Sequence, residues 1–474
     1  MNSRPSILFA TPPVSLEERY GTLAAAGSSA PALGILCLAA VARRAGYPCS
    51  VIDAAALDLD LAAFLAKVEE IRPQLLGFSA TTLSIVHAAR AAERVKERFP
   101  AVTVVVGGPH VSAVPVETLE RFPIFDVAVV GEGEETLLDL LGVHEKGGDI
   151  GAVPGIVYRD GLQVRATARR PFISDLDTLP FPAWDLLPGF PHRYAPPVFK
   201  TRRLPAASLV TSRGCPNRCI FCDRSVFGTS CHAFSAEYVV AMIEELYRDF
   251  GVREFAFEDD TFVTFRRRLT EICELLIARR LDISWSCLGR VNHVTPELLA
   301  LMKRAGCWQV SFGIESGSEA ILRAIRKNVT CDEIRRALQA SRAAGLLNKG
   351  FFIVGHPGET RETLRETIDF ALALPLDDIS VAMLTPFPGT EIFDRAAEFG
   401  TLDPDWGRMS LLNTVFIPRG LSADDLTRAQ KELIRRFYLR PRIVGNYLGR
   451  VARNPAMVGG LGRSFLSFLK SVLS

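Results

Sequence analysis

The sequence at residues 213–222 reads RGCPNRCIFC and places Cys215, Cys219 and Cys222 in one short, glycine-led loop. Thiolates bind soft metals, and an iron–sulfur cluster is usually held by four cysteines. Three cysteines at a C-x3-C-x2-C spacing can hold three irons of a [4Fe–4S] cluster and leave the fourth iron open to a small molecule. An open coordination position distinguishes a catalytic metal centre from a structural one. This stretch therefore predicts catalytic metal chemistry.

A zinc site is the alternative for these thiols. Cys231 lies nine residues beyond Cys222 and in principle completes a four-thiolate set. Structural zinc sites usually pair C-x2–4-C units, which favours the cluster. The remaining cysteines stand in apolar or helical surroundings and are interpreted as ordinary core or surface residues: Cys37, Cys49, Cys273, Cys287, Cys307 and Cys331.

Length and composition bound what the chain can be. Its 474 residues predict two or three domains. With 48% hydrophobic and 23% charged residues and a net charge of +2, the composition is typical of a globular protein and gives no general case for nucleic-acid binding. Ten cysteines with a single tight cluster favour a reducing cytoplasm over a secreted disulfide framework. Neither a signal peptide nor a membrane-spanning helix is predicted.

The first 150 residues alternate short apolar runs with longer helical patterns. This alternation predicts βαβ units around a parallel sheet, with strands at residues 7–10, 50–53, 75–79, 102–106 and 127–130. We therefore predict a doubly wound, Rossmann-like domain at residues 1–150, whose ligands lie beyond the carboxyl ends of the strands. Small residues stand at those ends: Ser79, Thr81, Gly107, Gly108, Gly131 and Gly133.

A second strand–helix alternation begins near residue 206. Residues 151–205 contain a predicted hairpin that turns at Asp160-Gly161, followed by a proline-rich linker. Six further strands are predicted at residues 208–212, 254–258, 283–287, 309–315, 350–354 and 379–384. Six βα units predict a partial (β/α)6 barrel of the TIM type at residues 206–400, with functional residues at the carboxyl ends of its strands. The cysteine loop follows the first of these strands.

Residues 401–474 are predicted to form a helical C-terminal region with a basic end. Between residues 428 and 470, Glu432 is the single acid among ten arginines and lysines, and aromatic and leucine residues alternate with them. This segment is interpreted as a solvated helical face, as a peripheral contact with anionic lipid headgroups, or as a lid over an apolar substrate.

With these residues in view, the chain resembles the radical S-adenosylmethionine (SAM) enzymes, and in particular their cobalamin-binding branch. The resemblance covers nearly the whole chain and is strongest at C-x3-C-x-F-C, where Phe221 precedes the last cysteine. It implies a [4Fe–4S] cluster on Cys215, Cys219 and Cys222, whose open iron binds SAM. In the family, one electron from the reduced cluster cleaves SAM to a 5′-deoxyadenosyl radical, which takes a hydrogen atom from an unactivated carbon. The protein supplies positioning, redox tuning and exclusion of water.

The resemblance assigns SAM contacts to the ends of successive barrel strands. They are Phe221, Glu258, Asp259, Asp260, Arg290, Glu315, Ser316 and Gly355. The acidic run 258–260 would contact the amino group of SAM and Arg290 its carboxylate. The structural alternative is that Asp259 and Asp260 cap a helix or pair with the arginines at 266–268, and that Arg290 pairs with Glu315.

The N-terminal half resembles the cobalamin-binding domain of the same branch. The resemblance assigns cobalamin contacts to Ser79, Thr81, Gly107, Gly108, Gly131, Glu132 and Gly133. Glycine lets the backbone approach a large ligand closely, and a helix N-terminus suits its phosphate. One motif of many cobalamin proteins, the D-x-H-x-x-G that supplies a histidine to cobalt, is missing, because Asp53 is followed by Ala-Ala-Ala-Leu. We therefore expect cobalamin without a histidine ligand; loss of cobalamin is the alternative.

The resemblance implies a cobalamin-dependent radical SAM methyltransferase, similar to the hopanoid methylases and the anaerobic tetrapyrrole cyclases. The expected reaction is methylation of an unactivated carbon of an apolar substrate, such as an isoprenoid lipid or a tetrapyrrole. The alternatives are a non-methylating oxidative cyclase or rearrangement enzyme and, more distantly, a non-catalytic iron–sulfur protein. An external electron donor of the flavodoxin or ferredoxin type is implied, and no nucleic-acid partner. The expected location is the cytoplasm, with a peripheral contact at the inner face of the membrane through the C-terminal segment as the variant.

Overall fold

The computed structural model of the protein describes residues 4–21, 30–194 and 201–453. Its first sheet has the strand order β2-β1-β3-β4-β5-β6-β7. The strands are β1 Ile7–Thr11, β2 Cys49–Asp53, β3 Leu75–Ser79, β4 Thr103–Gly107, β5 Val127–Val129, β6 Ile156–Asp160 and β7 Gln163–Ala166. The first five are parallel, and β6 and β7 add an antiparallel hairpin at the β5 edge. The hairpin predicted between the domains is therefore part of the first sheet.

Helices cover both faces of this sheet. They are α1 Leu16–Tyr20, α2 Leu33–Arg44, α3 Leu61–Ile71, α4 Ile85–Arg98, α5 Pro109–Ala113, α6 Pro115–Arg121 and α7 Glu134–Lys146. Successive side chains of a strand point to opposite faces. Accordingly, Ile7 and Phe9 of β1 pack in the core that contains α2 and α7, whereas Leu8 and Ala10 pack in the core that contains α3 and α4. The doubly wound fold is confirmed.

The strand order reverses between the neighbouring strands β1 and β3. The strand that follows β1 in the chain, β2, lies on one side of this pair, and the strand that follows β3, β4, lies on the other side. In open α/β sheets, ligands bind in the crevice outside the carboxyl ends of the strands at such a switch point. Ser79 ends β3 and Gly107 ends β4 beside this crevice. The small residues that the sequence analysis singled out therefore lie at the edge of the sheet where a ligand is expected to bind.

The proline-rich linker is packed rather than free. Trp184 and Tyr194 are buried and belong to a core that also contains Phe9 of the first sheet and Phe257 of the barrel. Trp184 stacks on Phe190 with 5.0 Å between ring centroids. Residues 195–200 of the linker lie outside the described part of the chain. The linker therefore joins the two domains through one continuous apolar core.

The second sheet is a curled, all-parallel half barrel in the order β8-β11-β12-β13-β14-β15. In chain order the strands of this region are β8 Ala206–Leu209, β9 Ser212–Arg213, β10 His232–Ala233, β11 Glu254–Phe257, β12 Ser284–Gly289, β13 Cys307–Glu315, β14 Leu347–Val354 and β15 Asp378–Met383. The helices between them are α8 Ala236–Asp249, α9 Arg266–Arg279, α10 Pro296–Arg304, α11 Glu319–Ala324, α12 Cys331–Ala343 and α13 Arg361–Ala373. The predicted partial barrel is confirmed.

The first barrel strand is shorter than the sequence predicts. It was expected to run to residue 212, but β8 ends at Leu209, and β9 pairs antiparallel with β10 instead. The backbone N–H of Thr211 donates to the Asp259 carboxylate at 3.1 Å, and the Thr211 carbonyl accepts from Phe234 N at 3.1 Å. Because these groups satisfy the backbone of Thr211, the chain leaves the sheet there. The cysteine loop, residues 214–231, connects β9 to β10.

The C-terminal region contains helices and, besides them, a short strand pair that the sequence did not predict. The pair is β16 Gly400–Leu402 with β17 Phe416–Pro418. The helices that follow β15 are α14 Glu391–Asp394, α15 Ala396–Phe399, α16 Ala423–Tyr438 and α17 Pro441–Arg453. Gln430 and Tyr438 of α16 donate hydrogen bonds to the carbonyls of Val381 and Ile379, both at 2.9 Å. Helix α16 therefore covers the edge strand β15.

Several basic residues of the C-terminal segment bond to the barrel itself. Arg440 Nη1 donates to the Leu372 carbonyl at 2.9 Å and Arg442 Nη2 to the Leu376 carbonyl at 2.7 Å. The remainder of the basic, aromatic stretch, including Arg463, lies in residues 454–474, outside the described part. Across residues 4–21, 30–194 and 201–453, none of the helices combines the length and the apolar character needed to span a membrane.

Candidate active site

Two cavities adjoin at the carboxyl ends of the barrel strands. The cluster cavity, of about 550 Å³, is lined among others by Cys215, Cys219, Cys222, Asp260, Arg290 and Glu315. The interdomain cavity, of about 400 Å³, lies between the first sheet and the barrel and is lined among others by Ser79, Gly107, Gly131, Leu209 and Glu258. Val226, Phe227 and Asp260 line both cavities. The two spaces therefore share a wall.

Backbone hydrogen bonds connect the cysteine loop to two helices, at the C-terminus of α11 and in α14. Ile220 N donates to the Ile325 carbonyl, and Ile392 N donates to the Ile220 carbonyl, both at 3.2 Å. Asn217 Nδ2 donates to Cys215 Sγ at 3.2 Å. These bonds bring the three thiols to the wall of one cavity, as the spacing of the cysteines predicts.

Gly214 is the residue that lets the loop begin. It has a φ of +81°, and a Cβ placed there would collide with the Ser230 carbonyl oxygen. A collision with backbone forces one side of the loop to move, and the left-handed conformation adds strain for any L side chain. The loop therefore requires glycine at this position.

We expect Gly214→Ala to lose most of the bound iron, because the displaced backbone carries the adjacent Cys215. The matched control is Gly228→Ala, which has a φ of +60° but meets only the tip of Phe172 at 3.8 Å. The control shares the conformational strain, roughly 1 kcal/mol, without the collision. Iron and sulfide content after anaerobic reconstitution measures both variants. Equal iron content in the two would show that the contact with Ser230 does not matter.

The cluster cavity favours the metal-binding form of Cys219. Its thiol is buried, and Arg290 Nη1 donates to its sulfur at 3.5 Å. The hydrogen bond from the neighbouring Cys222 thiol, and then the positive charges of Lys327 and Arg290, lower the pKa of Cys219 to about 6. Thiolates, not thiols, bind metal. The donor set thus fits an iron–sulfur cluster in which each thiolate takes its own iron, while the described residues contain no group of three ligands arranged around a single metal ion.

Cys231, the alternative fourth ligand, is used elsewhere. Its thiol donates to the Gly214 carbonyl at 3.3 Å, and burial raises the pKa of Cys231 to about 11. It does not belong to the wall of the cluster cavity. Its hydrogen bond instead closes the base of the loop.

Four of the predicted SAM residues meet in the cluster cavity: Phe221, Asp260, Arg290 and Glu315. Burial raises the pKa of Asp260, although the Gly214 backbone N–H lowers it in part. Glu315 pairs with Lys327 at 2.6 Å rather than with Arg290. Arg290 instead donates to the Lys327 carbonyl and to Cys219. Acidic and basic groups beside the cluster ligands fit the zwitterionic amino-acid end of SAM.

Lys327 belongs to this cavity but was not found from the sequence. It stands in a loop after α11 with no motif around it, and only the fold brings it to Glu315. A Cβ on Gly313 would lie 2.5 Å from Glu315 Oε1 and 2.7 Å from Lys327 Nζ. The glycine therefore leaves room for the ion pair. In the sequence, the run Gly313-Ile314-Glu315 pointed to the carboxylate of Glu315 but gave no indication of its partner Lys327.

The other predicted SAM residues lie elsewhere. Glu258 lines the interdomain cavity. The Asp259 carboxylate accepts from Thr211 Oγ1 at 2.9 Å and from the Thr211 backbone, and so shapes the strand end. The Ser316 hydroxyl lies 3.0 Å from Thr367 Oγ1, and Gly355 N donates to Glu359 at 2.5 Å. None of these last three residues is in the wall of either cavity.

The predicted cobalamin residues line the interdomain cavity, with one exception. Ser79, Gly107, Gly108, Gly131, Glu132 and Gly133 are in its wall. Thr81 is not: it is exposed, and its hydroxyl lies 3.1 Å from Ser84 Oγ at the start of α4. The remaining wall is largely apolar and includes Phe78, Trp184, Leu209 and Met242. A broad apolar wall edged by glycines fits a large macrocycle, and no histidine is among its described residues.

Glu132 has a structural role that the sequence did not indicate. Its Oε1 accepts from Arg213 Nη1 at 2.5 Å and lies 3.1 Å from His232 Nε2. Its Oε2 accepts from the backbone N–H of Ile173 in the linker at 2.7 Å. Arg213 Nη2 also donates to Glu134 at 2.5 Å. We call Arg213, Glu132, Glu134 and His232 the interdomain ion cluster.

The interdomain ion cluster joins the two cofactor regions. Arg213 and His232 are register partners in β9 and β10 and stand at the two ends of the cysteine loop. Glu132 lies between Gly131 and Gly133 in the wall of the interdomain cavity. One carboxylate of the first domain therefore holds both ends of the loop that carries the three thiols.

Family models match both halves of the chain. Residues 21–141 match the B12 binding domain, and residues 209–371 match the radical SAM superfamily. The chain is 33% identical over 420 residues to a protein of Pyrococcus horikoshii described as an uncharacterized methyltransferase, covering 88% of this chain and 90% of the relative. It is 30% identical over 417 residues to the anaerobic magnesium-protoporphyrin IX monomethyl ester cyclase of Rubrivivax gelatinosus, covering 86% and 74%.

The fold is also that of a solved enzyme. The radical S-adenosylmethionine methyltransferase TsrM of Kitasatospora setae, solved with cobalamin and a [4Fe–4S] cluster bound, superposes with a TM-score of 0.69 at 20% identity, over 90% of this chain and 81% of that one. The cofactors expected from the sequence are confirmed by the two family matches: a [4Fe–4S] cluster, SAM and cobalamin. The chain belongs to the radical SAM enzymes that carry a B12-binding domain, the family of the cobalamin-dependent radical SAM methyltransferases.

Proposed function

We propose that the protein methylates an unactivated carbon of a small molecule with an apolar skeleton. The observation that carries this proposal is the wall shared by the two cavities, formed by Val226, Phe227 and Asp260. When bound, the cluster with SAM supplies a carbon radical and cobalamin supplies the methyl group. Both must face one carbon atom, and two adjoining cavities with a common wall support that arrangement.

Some of the residues around the two cavities would bind the cofactors, and others would exclude water. The three thiols of the cysteine loop would hold the cluster, and Asp260 and Arg290 would hold the charged end of SAM at its open iron. Phe227 and Val226, which line both cavities, would keep water from the space between the cofactors. Removing water strengthens electrostatic interactions and protects a reactive intermediate. The apolar side chains of Val226 and Phe227 in the shared wall support an apolar substrate skeleton.

A second function, oxidative cyclisation without methyl transfer, is favoured by the similarity to the Rubrivivax gelatinosus cyclase. The two functions differ in what becomes of SAM. A methyltransferase of this family turns one SAM into 5′-deoxyadenosine and a second into S-adenosylhomocysteine, whereas a cyclase has no need of the second product.

We expect the reconstituted protein, reduced anaerobically with SAM, to form both 5′-deoxyadenosine and S-adenosylhomocysteine. Omitting cobalamin from the reconstitution should remove S-adenosylhomocysteine and leave 5′-deoxyadenosine. Liquid chromatography with mass detection quantifies both products. Formation of 5′-deoxyadenosine alone, with cobalamin bound, would contradict methyl transfer and support cyclisation.

We propose a one-electron donor of the flavodoxin or ferredoxin type as partner, because reduction of a cluster requires single electrons at low potential. A cytoplasmic location follows the same logic. None of the ten cysteines is in a disulfide, and unpaired cysteines with an oxygen-sensitive cluster suit a reducing compartment.

A further inference from the structure

Arg224 is a cation in the cluster cavity that the cofactor assignments leave unused. It follows the last cluster cysteine by two positions and lines the cavity. Its Nη1 is fully buried and has no hydrogen-bond partner among the described residues. A buried guanidinium nitrogen without a partner is unfavourable, because its lost hydration is not replaced. The arrangement calls for an acceptor that the described part of the chain does not supply.

The other basic groups of this cavity are matched. Lys327 pairs with Glu315 at 2.6 Å. Arg290 donates to the Cys219 sulfur at 3.5 Å and to the Lys327 carbonyl. The adjacent carboxylate, Asp223, accepts from the backbone N–H of Ser225 at 2.8 Å and from its hydroxyl at 2.5 Å. Within the described ranges, Arg224 is thus the cavity arginine with an unmatched nitrogen.

We propose that Arg224 forms an anion subsite that binds a carboxylate or phosphate group of the substrate. The planar guanidinium matches both anions with paired hydrogen bonds. Arg224 lies two and three residues before Val226 and Phe227, which line both cavities. An anion held there would fix one end of the substrate beside the shared wall, with its carbon skeleton toward the interdomain cavity. This inference rests on the proposed function and adds to it that the substrate carries an anionic group.

Two other anionic groups would share this cavity with Arg224 when the cofactors are bound: the carboxylate of SAM and the sulfur atoms of the cluster. Each has a distinct consequence. If SAM supplies the anion, free anions are displaced by SAM. If the cluster is the partner, loss of Arg224 alters the cluster and leaves the binding of free anions unchanged.

The test titrates inorganic phosphate or acetate, followed by calorimetry, into the protein loaded with cluster and cobalamin, first without SAM and then with SAM. Arg224→Gln removes the charge and keeps hydrogen-bonding capacity. The matched control is Arg218→Gln, because Arg218 is an exposed arginine of the same loop outside the cavity wall. We expect the wild type and the control to bind the probes equally, and Arg224→Gln to bind them roughly 10-fold or more weakly.

Three results would overturn the proposal. Equal binding by all three proteins would remove the subsite. Binding that is lost when SAM is added would assign Arg224 to the carboxylate of SAM. An altered electron paramagnetic resonance spectrum of the reduced cluster in Arg224→Gln, with unchanged probe affinity, would assign it to the cluster. None of these measurements involves turnover, so the anion subsite and the methyl-transfer proposal can fail separately.

Discussion

Replacing Cys219 by alanine is expected to abolish reductive cleavage of SAM, with formation of 5′-deoxyadenosine falling by at least about 1,000-fold, a change of about 4 kcal/mol in the barrier. Cys219 is buried in the cavity wall, and the hydrogen bond from Cys222 together with the nearby positive charges of Lys327 and Arg290 lowers its pKa. Removing it leaves two of the three thiols, which cannot hold three irons of the cluster. The measurement is the rate of 5′-deoxyadenosine formation with dithionite as reductant, together with the iron content.

Cys231→Ala is the control for this prediction. The Cys231 thiol is next to the loop, but it donates to the Gly214 carbonyl and lies outside the cavity wall. We expect this variant to retain its iron and most of its rate. Loss of the cluster in both variants would support the four-thiolate alternative, whereas retention of the cluster in Cys219→Ala would exclude the assigned ligand set.

Much of the fold could be predicted because most of the parallel strands of the two sheets are apolar on both faces and alternate with amphipathic helices. Parallel strands covered on two sides read as short continuous apolar runs, and β1 and β4 are of this kind. The predicted end of β8 was wrong, and the periodicity of apolar residues could not have shown the correct end. Thr211 leaves the sheet because the Asp259 carboxylate, 48 residues later, takes its backbone N–H. Long-range hydrogen bonds of this sort cannot be read from a local pattern.

The site residues that lie in one loop could be predicted from the sequence. Those contributed by several separate elements could not. The three cysteines are found from their spacing, and all three line one cavity. The sequence predicted that the three acidic residues at 258–260 act as one group. Beyond the end of a strand, however, successive side chains no longer alternate regularly between two faces, and the three carboxylates lie in different places. Glu258 lines the interdomain cavity, Asp260 lines both, and Asp259 turns to Thr211. Which carboxylate faces which space is decided by tertiary packing.

Glu132 illustrates the same limit in the first domain. The G-E-G-E run at residues 131–134 indicated a ligand loop, and its residues do line the interdomain cavity. Both oxygens of Glu132, however, are hydrogen-bonded to other parts of the protein, through Arg213 and Ile173. Nothing near Glu132 in the sequence points to an arginine 81 residues away. The function of this carboxylate depends on a domain contact that only the folded chain creates.

Arg213→Met is expected to lower the free energy of unfolding by about 3–5 kcal/mol, the usual effect of removing one partner of a buried ion pair. Arg213, Glu132 and Glu134 are all buried, so the substitution removes the counter-charge of Glu134 and leaves Glu132 with His232 alone. Methionine keeps the length and much of the volume of the arginine stem, which separates loss of charge from loss of packing. Chemical denaturation of the loaded protein, followed by circular dichroism, gives the free energy.

The control is Arg203→Met, which removes an arginine that is also paired through two nitrogens, to Asp282, but at the surface. Exposed pairs contribute about 0–1 kcal/mol, so this variant should remain close to the wild type. Adding Glu132→Gln and Glu134→Gln to Arg213→Met should recover part of the loss, because no buried charge then stays unpaired. If Arg213→Met were no more destabilising than Arg203→Met, the interdomain ion cluster could not be what holds the cysteine loop against the cobalamin-binding domain.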